Sequence, residues 1–248
     1  MKIFPKISIV LPVYNGACYL KDSIESICRQ THQDFELIII DDCSIDSSGE
    51  ISQSYLKTDP RISYYRNDEN LKLPMSLNRG FSKAKGEFLT WTSCDNLYHP
   101  DALEKMLLIL EQDKKIGMVY ASMQVIDEKG QKKEFIPSGP KEHLIFRNVV
   151  GACFLYRKSV QESIGFYNSD LFLCEDYEYW LRMAERTKIF RMDDCLYQYR
   201  RHSESLSHKN EKEIIAKGID VQKKYYPSFV KTRQQAAQFY THLHARDI

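Results

Sequence analysis

No stretch of this chain is apolar for the roughly 20 residues a bilayer crossing requires; its longest apolar runs are about eight residues. No charge of one sign predominates, since 35 basic residues face 34 acidic ones for a formal net charge of +1. Without a basic stripe or a high isoelectric point, the composition carries no footprint for nucleic acid. The seven cysteines (Cys18, Cys28, Cys43, Cys94, Cys153, Cys174 and Cys195) form no CxxC pair and are odd in number. That argues against a zinc site and against a secreted disulfide framework, and for a reducing compartment. No GxGxxG follows the first apolar run and no GxxxxGK(S/T) occurs anywhere, so neither a dinucleotide fold nor a P-loop is supported. Repeats, low-complexity tracts and a linker that would split the chain are missing too. The opening MKIFPKISIVLPV sets a proline and a second lysine before a short apolar run, unlike a signal peptide. The expectation is a soluble, cytoplasmic protein, with peripheral contact to the inner face of the cell membrane left open.

What is present is an alternation. ISIVLPV (7–13) is rich in β-branched residues and stops at YNG, after which Leu20, Ile24 and Ile27 recur at helical spacing. FELIIID (35–41) shows almost no polar alternation, which implies burial on both faces. A helix over 46–57, capped by Asp46 or Ser47, follows. A strand over 62–66 then leads to a helix from Pro74 to Ala84, with its proline in the first turn. A strand over 87–93 and a helix from Pro100 to about Leu110 complete this half. Repeated strand–helix–strand units with short links predict an α/β fold, a doubly wound and mostly parallel central sheet flanked by helices. Past residue 115 the pattern loosens. Strands are expected at 116–126, 148–157 and 189–200, a strong helix at 175–186, and a helical extension at 208–248.

In an open α/β sheet, ligands bind beyond the carboxyl ends of the strands. Three polar clusters fall there: YNG (14–16), DDCSIDSS (41–48) and SCDN (93–96). Each alone reads as an ordinary turn or cap. Together, on neighbouring strand ends, they point to one shared site.

The run from ISIVLPVYNG to DDCSIDSS is similar to the start of a family 2 glycosyltransferase of the GT-A type. The similarity continues in that family's order through GEFLTWTSCDNLYHPDALEKM, GACFLYRKSVQESIGFY, EDYEYWLRM and YRRHSESLS, covering residues 6 to about 207. Such enzymes are inverting and use nucleotide-diphospho-sugars. The resemblance implies a GT-A-like catalytic domain over 1–207, nucleotide-binding to about 115 and acceptor-binding from 116, followed by the extension.

The resemblance also assigns roles. Pro12 and Tyr14 would line the base pocket, with the Tyr14 ring on the base. Asp42 would accept from the ring N–H of uracil or thymine, and Lys72 would approach the nucleotide; Asp41, by contrast, reads as an ordinary cap or brace of the turn. SCDN holds the family's metal position, so Asp95 would anchor Mn²⁺ or Mg²⁺; a hard cation that also takes substrate phosphates needs few protein carboxylates. Cys94 stands where relatives carry an aspartate that reaches the ribose. A thiol fills that role poorly, which shifts ribose recognition to Ser93 or a backbone group. His202 would complete the metal's coordination, while Arg200 or Arg201 would pair with the diphosphate.

Glu175 and Asp176 open a helix, where two carboxylates also complement the helix dipole. By resemblance Asp176 is the catalytic base and Glu175 its support. Trp180 reads as a core anchor or a sugar platform. His32, His99, His143, His208, His242 and His244 lack a comparable context and read as surface residues. The implied activity is inverting transfer of a sugar from a UDP- or dTDP-sugar to a hydroxyl of a glycan or lipid-linked acceptor, in building a cell-surface polysaccharide. The alternative is a nucleotide-sugar-binding protein of the same fold that has lost turnover, with Cys94 as the lesion.

Overall fold

A strand covered by helices on both faces must be apolar along its whole length, and the first two strands meet that demand. In the computed structural model, which describes residues 4–229 together with 238 and 241, β1 (Ile7–Val13) is buried throughout and β2 (Phe35–Asp41) nearly so. They pair in parallel from Ile7 with Phe35 to Val13 with Asp41. Parallel pairing extends outward to β3 (Ile62–Arg66) and β4 (Phe88–Trp91). The chain returns between them through α1 (Ala17–Cys28), α2 (Ser48–Leu56) and α3 (Lys72–Lys83). All four strands run the same way, so the turns after them gather at one edge.

The second half of the sheet is mixed. β6 (Ile116–Ile126) lies parallel to β9 (Lys188–Arg200), while β8 (Phe154–Arg157) sits antiparallel between β4 and β6. Two short elements have little sequence signal: β5 (Leu97–Tyr98), antiparallel to β9, and β7 (Lys132–Ile136), antiparallel to β6. The order is β3-β2-β1-β4-β8-β6-β9-β5, with β7 on β6. β5 directly follows the SCDN turn yet pairs with the far strand β9. The sheet therefore curls its last strand back to the end of β4, and this closure makes the site.

The strand expected over 148–157 is ladder-paired only from Phe154. Its first part turns because the Asn148 Oδ1 accepts from the backbone of Val150 and Gly151, both at 3.2 Å, and Gly151 takes a φ of +68°. An Asn side chain that captures backbone donors two and three residues on competes directly with a ladder. The helix α5 (Lys158–Ile164) follows without having been expected.

The core lies in two layers, one on each face of the sheet. On one face α6 (Glu175–Arg186) buries Trp180 completely, its ring 4.4 Å from that of Phe154. That makes Trp180 a core anchor, out of reach of any sugar. The other face is filled from α1, α2 and α4 (Ala102–Gln112). Past β9, α7 (Leu206–Lys209) and α8 (Glu211–Phe229) return over α6, where Tyr225 donates to Glu178 at 2.5 Å. The expected extension is described continuously only as far as Phe229, and His242 and His244 lie outside the described residues.

One close approach is testable. A Cβ on Gly86 would come within 2.6 Å of the Ser8 backbone nitrogen and 2.8 Å of the Ile7 carbonyl carbon. Backbone cannot rotate away as a side chain can. Gly86→Ala is expected to destabilise by about 1–3 kcal/mol, the cost of forcing backbone shifts in a packed core. A lower urea midpoint at unchanged slope would show it.

Candidate active site

The sheet closure joins two segments distant in the chain. Because Leu97 and Tyr98 pair with Gln198 and Tyr197, the residues just past β9 fall beside the SCDN turn. His202 Nε2 lies 3.0 Å from Asp95 Oδ2. The other oxygen, Oδ1, is buried with no hydrogen-bond partner. A buried carboxylate oxygen left unpaired costs free energy, and a cation would satisfy it. An aspartate and an imidazole make a donor pair fit for a divalent ion. Among the described residues no group of three or more His, Cys, Asp or Glu side chains forms a protein-only metal cage. The fit is therefore to an ion that takes its remaining ligands from phosphate and water.

Arg200 holds this turn from behind. Its backbone N–H donates to Asn96 Oδ1 at 2.7 Å, Nε to the Asp95 carbonyl at 3.0 Å, and Nη1 to the carbonyls of Asp127 and Glu128 at 3.2 Å. Arg201 is exposed and pairs with Glu134 at 2.9 Å. Without a nucleotide present, Arg200 binds part-buried carbonyls at the strand ends and Arg201 a neighbouring carboxylate, so neither side chain stands free for the diphosphate pairing expected of it.

At the other strand ends, Pro12 is buried in β1 and Tyr14 is 52% exposed just past it. Asp42 is buried. Its Oδ1 accepts from Asn67 Nδ2 at 2.6 Å and from the Leu71 backbone at 2.8 Å, while Oδ2 has no partner among the described residues. Asn67 carries no motif, and only the fold shows that it orients Asp42. Asp41 braces the turn, with Ser44 donating to Oδ1 and Tyr64 and Arg66 to Oδ2. Burial would raise its pKa, but these hydrogen bonds outweigh burial and hold it below the ordinary value. Lys72 is exposed at the start of α3 in the left-handed region (φ 68°), its Nζ 5.9 Å from the Phe172 ring centroid. The Cys94 sulfur packs against Gly16, where a Cβ would approach it to 2.4 Å, and burial pushes the thiol pKa up. It stays a protonated, unreactive thiol.

A cavity of about 480 Å³ opens in front of these strand ends. Ser93 and Asp95 line it, and so do Asn148, Glu175 and Asp176, with Ile214, Ile215 and Gln222 of α8 contributing a wall. Asn148 Nδ2 donates to Asp176 Oδ2 at 3.0 Å, and the Tyr177 backbone to Oδ1 at 2.6 Å. Glu175 is buried with Oε2 unpartnered. Burial raises the pKa of both carboxylates, and the charge of Asp176 raises Glu175 further. The cavity thus offers a cation position at one place and a basic carboxylate pair at another. Pro12, Tyr14, Asp42, Lys72, Arg200, Arg201 and His202 do not line it.

A parallel half-sheet whose strand ends are closed over by a mixed half is the GT-A-like architecture of glycosyltransferases. The superpositions agree. Staphylococcus aureus TarS in complex with UDP-GlcNAc matches with a TM-score of 0.71 at 15% identity, over 96% of this chain and 79% of that one. The mannosyltransferase PcManGT of Pyrobaculum calidifontis, in complex with GDP-Man and Mn²⁺, matches with a TM-score of 0.71 at 14% identity, over 97% and 69%. At such identities the likeness establishes the fold alone. The sequence takes the identification further: residues 8–173 match Glycosyl transferase family 2, and the chain belongs to that family. An uncharacterized glycosyltransferase of Rickettsia felis is 32% identical over 216 residues, 83% of this chain but 36% of that protein. This chain therefore spans about a third of that relative's length. A Bacillus subtilis protein named for teichuronic acid biosynthesis, the glycosyltransferase TuaG, is 25% identical over 208 residues and 82% of each chain. No helix among the described residues is long and apolar enough to cross a membrane.

Proposed function

We propose that this chain transfers a sugar, with inversion, from a nucleotide-diphospho-sugar to a hydroxyl of a glycan or lipid-linked acceptor in building a cell-surface polysaccharide. The observation that carries this reading is one cavity lined by both the orphaned carboxylate of Asp95 and the Glu175–Asp176 pair. The polysaccharide setting is supported by what the Bacillus subtilis relative is named for.

On the donor side, Tyr14 and Pro12 flank the base and Asp42 Oδ2 accepts from its ring N–H. Uracil, thymine and guanine all present such a donor, so Asp42 excludes adenine and cytosine more firmly than it chooses among the rest; a UDP- or dTDP-sugar is the reading carried from the resemblance. Mn²⁺ or Mg²⁺ held by Asp95 and His202 would supply positive charge against the departing diphosphate, and an imidazole ligand suits Mn²⁺ better than Mg²⁺. On the acceptor side, Asp176 takes the proton of the attacking hydroxyl as the new bond to the anomeric carbon forms. The C–O bond to the diphosphate breaks on the opposite face, which inverts the configuration. Cys94 leaves the ribose to Ser93 and the backbone.

Release of nucleoside diphosphate from a panel of UDP-, dTDP- and GDP-sugars tests this. Metal-dependent release from at least one donor is expected, abolished by chelator. A folded protein that binds UDP but releases nothing from any donor would favour the binding-only reading.

The carboxylate pair predicts a pH profile. A general base works only when deprotonated, so activity should fall as pH drops through its folded-state pKa. Burial raises both groups, which places this fall above the ~3.9–4.3 of free Asp and Glu. A kcat/KM profile flat down to pH ~4.5 would show that no raised carboxylate limits the reaction.

A further inference from the structure

Three carboxylates, Asp95, Glu175 and Asp176, line the central cavity, and Arg147 is the one cation among its described lining residues. No hydrogen bond or ion pair engages the Arg147 guanidinium among the described residues; only its backbone N–H is used, donating to the His143 carbonyl at 3.1 Å. The backbone on both sides of it is fixed, by that bond and by the Asn148 side chain holding Val150 and Gly151. The next residue, Asn148, donates to Asp176. Arg147 therefore belongs to the base's side of the cavity and not to the strand ends that carry Tyr14, Asp42 and Asp95.

A second cavity, of about 260 Å³, adjoins there. It shares Met123, Ile136, Arg147, Asn148 and Gly151 with the first and continues along β7 to Pro137–Gly139. Glu134 also lines it but is paired with Arg201. The guanidinium thus stands where the two cavities meet, with its charge uncommitted.

We propose that Arg147 and this annex form an acceptor subsite for an anionic group, the carboxylate of an acidic sugar or a phosphate. This deepens the function proposed above and rests on Asp176 marking the acceptor side. With Asp95 matched to a metal ion, Arg147 is the cation left among the described lining residues to meet an anionic acceptor, and a neutral acceptor draws less from its charge. A guanidinium also binds either anion through two parallel N–H donors, which fixes orientation as well as sign. Held there, the acidic residue of a glycan would lie in the annex while its neighbour's hydroxyl reaches Asp176.

Three probes separate the possibilities: methyl β-D-glucuronide, glucose 1-phosphate and the neutral methyl β-D-glucoside. Each is titrated calorimetrically into the full chain with UDP and Mn²⁺ present. One anionic probe should bind about tenfold or more tighter than the glucoside, and which one does so identifies the source of the charge. Arg147→Ala should reduce that preference to about twofold or less, and Arg147→Lys should keep part of it. Arg147 is exposed and has no side-chain partner among the described residues, so both variants should fold, and their affinity for UDP should be unchanged. Equal binding of all three probes, or a preference that survives in Arg147→Ala, overturns the subsite. A loss of UDP affinity in Arg147→Ala also overturns it, by assigning the guanidinium to the donor's diphosphate. Failure of the underlying function would look different: no nucleotide release from any donor, with the Arg147-dependent preference intact.

Discussion

Asp95→Ala is expected to abolish Mn²⁺-dependent binding of UDP while leaving the protein folded. The carboxylate does little for the fold. Among the described residues its Oδ2 meets only His202 and its Oδ1 has no hydrogen-bond partner, so its removal relieves an unsatisfied buried atom. The turn itself is held by other groups, since Arg200 binds the Asp95 carbonyl and the Asn96 side chain, and both survive the substitution. What is lost is the one carboxylate aimed at the cation position. Calorimetry with UDP should give the same weak binding for the variant with Mn²⁺ as for the wild type with chelator. His202→Ala should weaken the metal dependence without removing it, because a carboxylate contributes net charge to the site and a neutral imidazole does not. Unchanged Mn²⁺-dependent affinity in Asp95→Ala would place the ion elsewhere.

Asp176→Asn is expected to remove transfer and spare donor binding. The amide is nearly isosteric, and its carbonyl oxygen can still accept from Asn148, so the loop should hold its place although the bond from the Tyr177 backbone is given up. An amide cannot take a proton, and general-base contributions are typically about 10²–10⁴-fold. The loss should appear in kcat, with donor affinity little changed, because Tyr14, Asp42 and Asp95 sit on other elements. Near-wild-type turnover would pass the role to Glu175, whose Oε2 is buried and unpartnered; Glu175→Gln would then show the loss. If neither variant slowed transfer, the pair would be no more than the acidic start of α6.

The parallel half of the fold was legible because its signal is local. The strand-like runs 7–13, 35–41 and 62–66 coincide with β1, β2 and β3 to the residue. The mixed half was less so. β5 is two residues long, too short for any periodicity, yet its pairing with β9 brings His202 to Asp95. Residues 148–151 look like a strand by composition, and only Asn148's capture of two backbone donors turns them. Among site residues, sequence and resemblance single out Ser93, Asp95, Glu175 and Asp176, and the fold gathers them around one cavity. They also single out Pro12, Tyr14, Asp42, Lys72, Arg200, Arg201 and His202, which do not line it; a basic pair after a strand gives no hint of which carbonyls lie behind it. Asn67, Arg147 and Asn148 carry no motif. Their importance lies in what they touch or face, and the curl of the sheet decides that.

The most direct test is a crystal structure with UDP and Mn²⁺, with anomalous scattering used to locate the ion. The ion is expected on the Asp95 carboxylate with His202 beside it and the diphosphate completing its coordination. The base should lie against Tyr14 and Asp42, and the Asp176 carboxylate should face the same cavity. A nucleotide bound away from these strand ends, or an ion that does not touch Asp95, would contradict it.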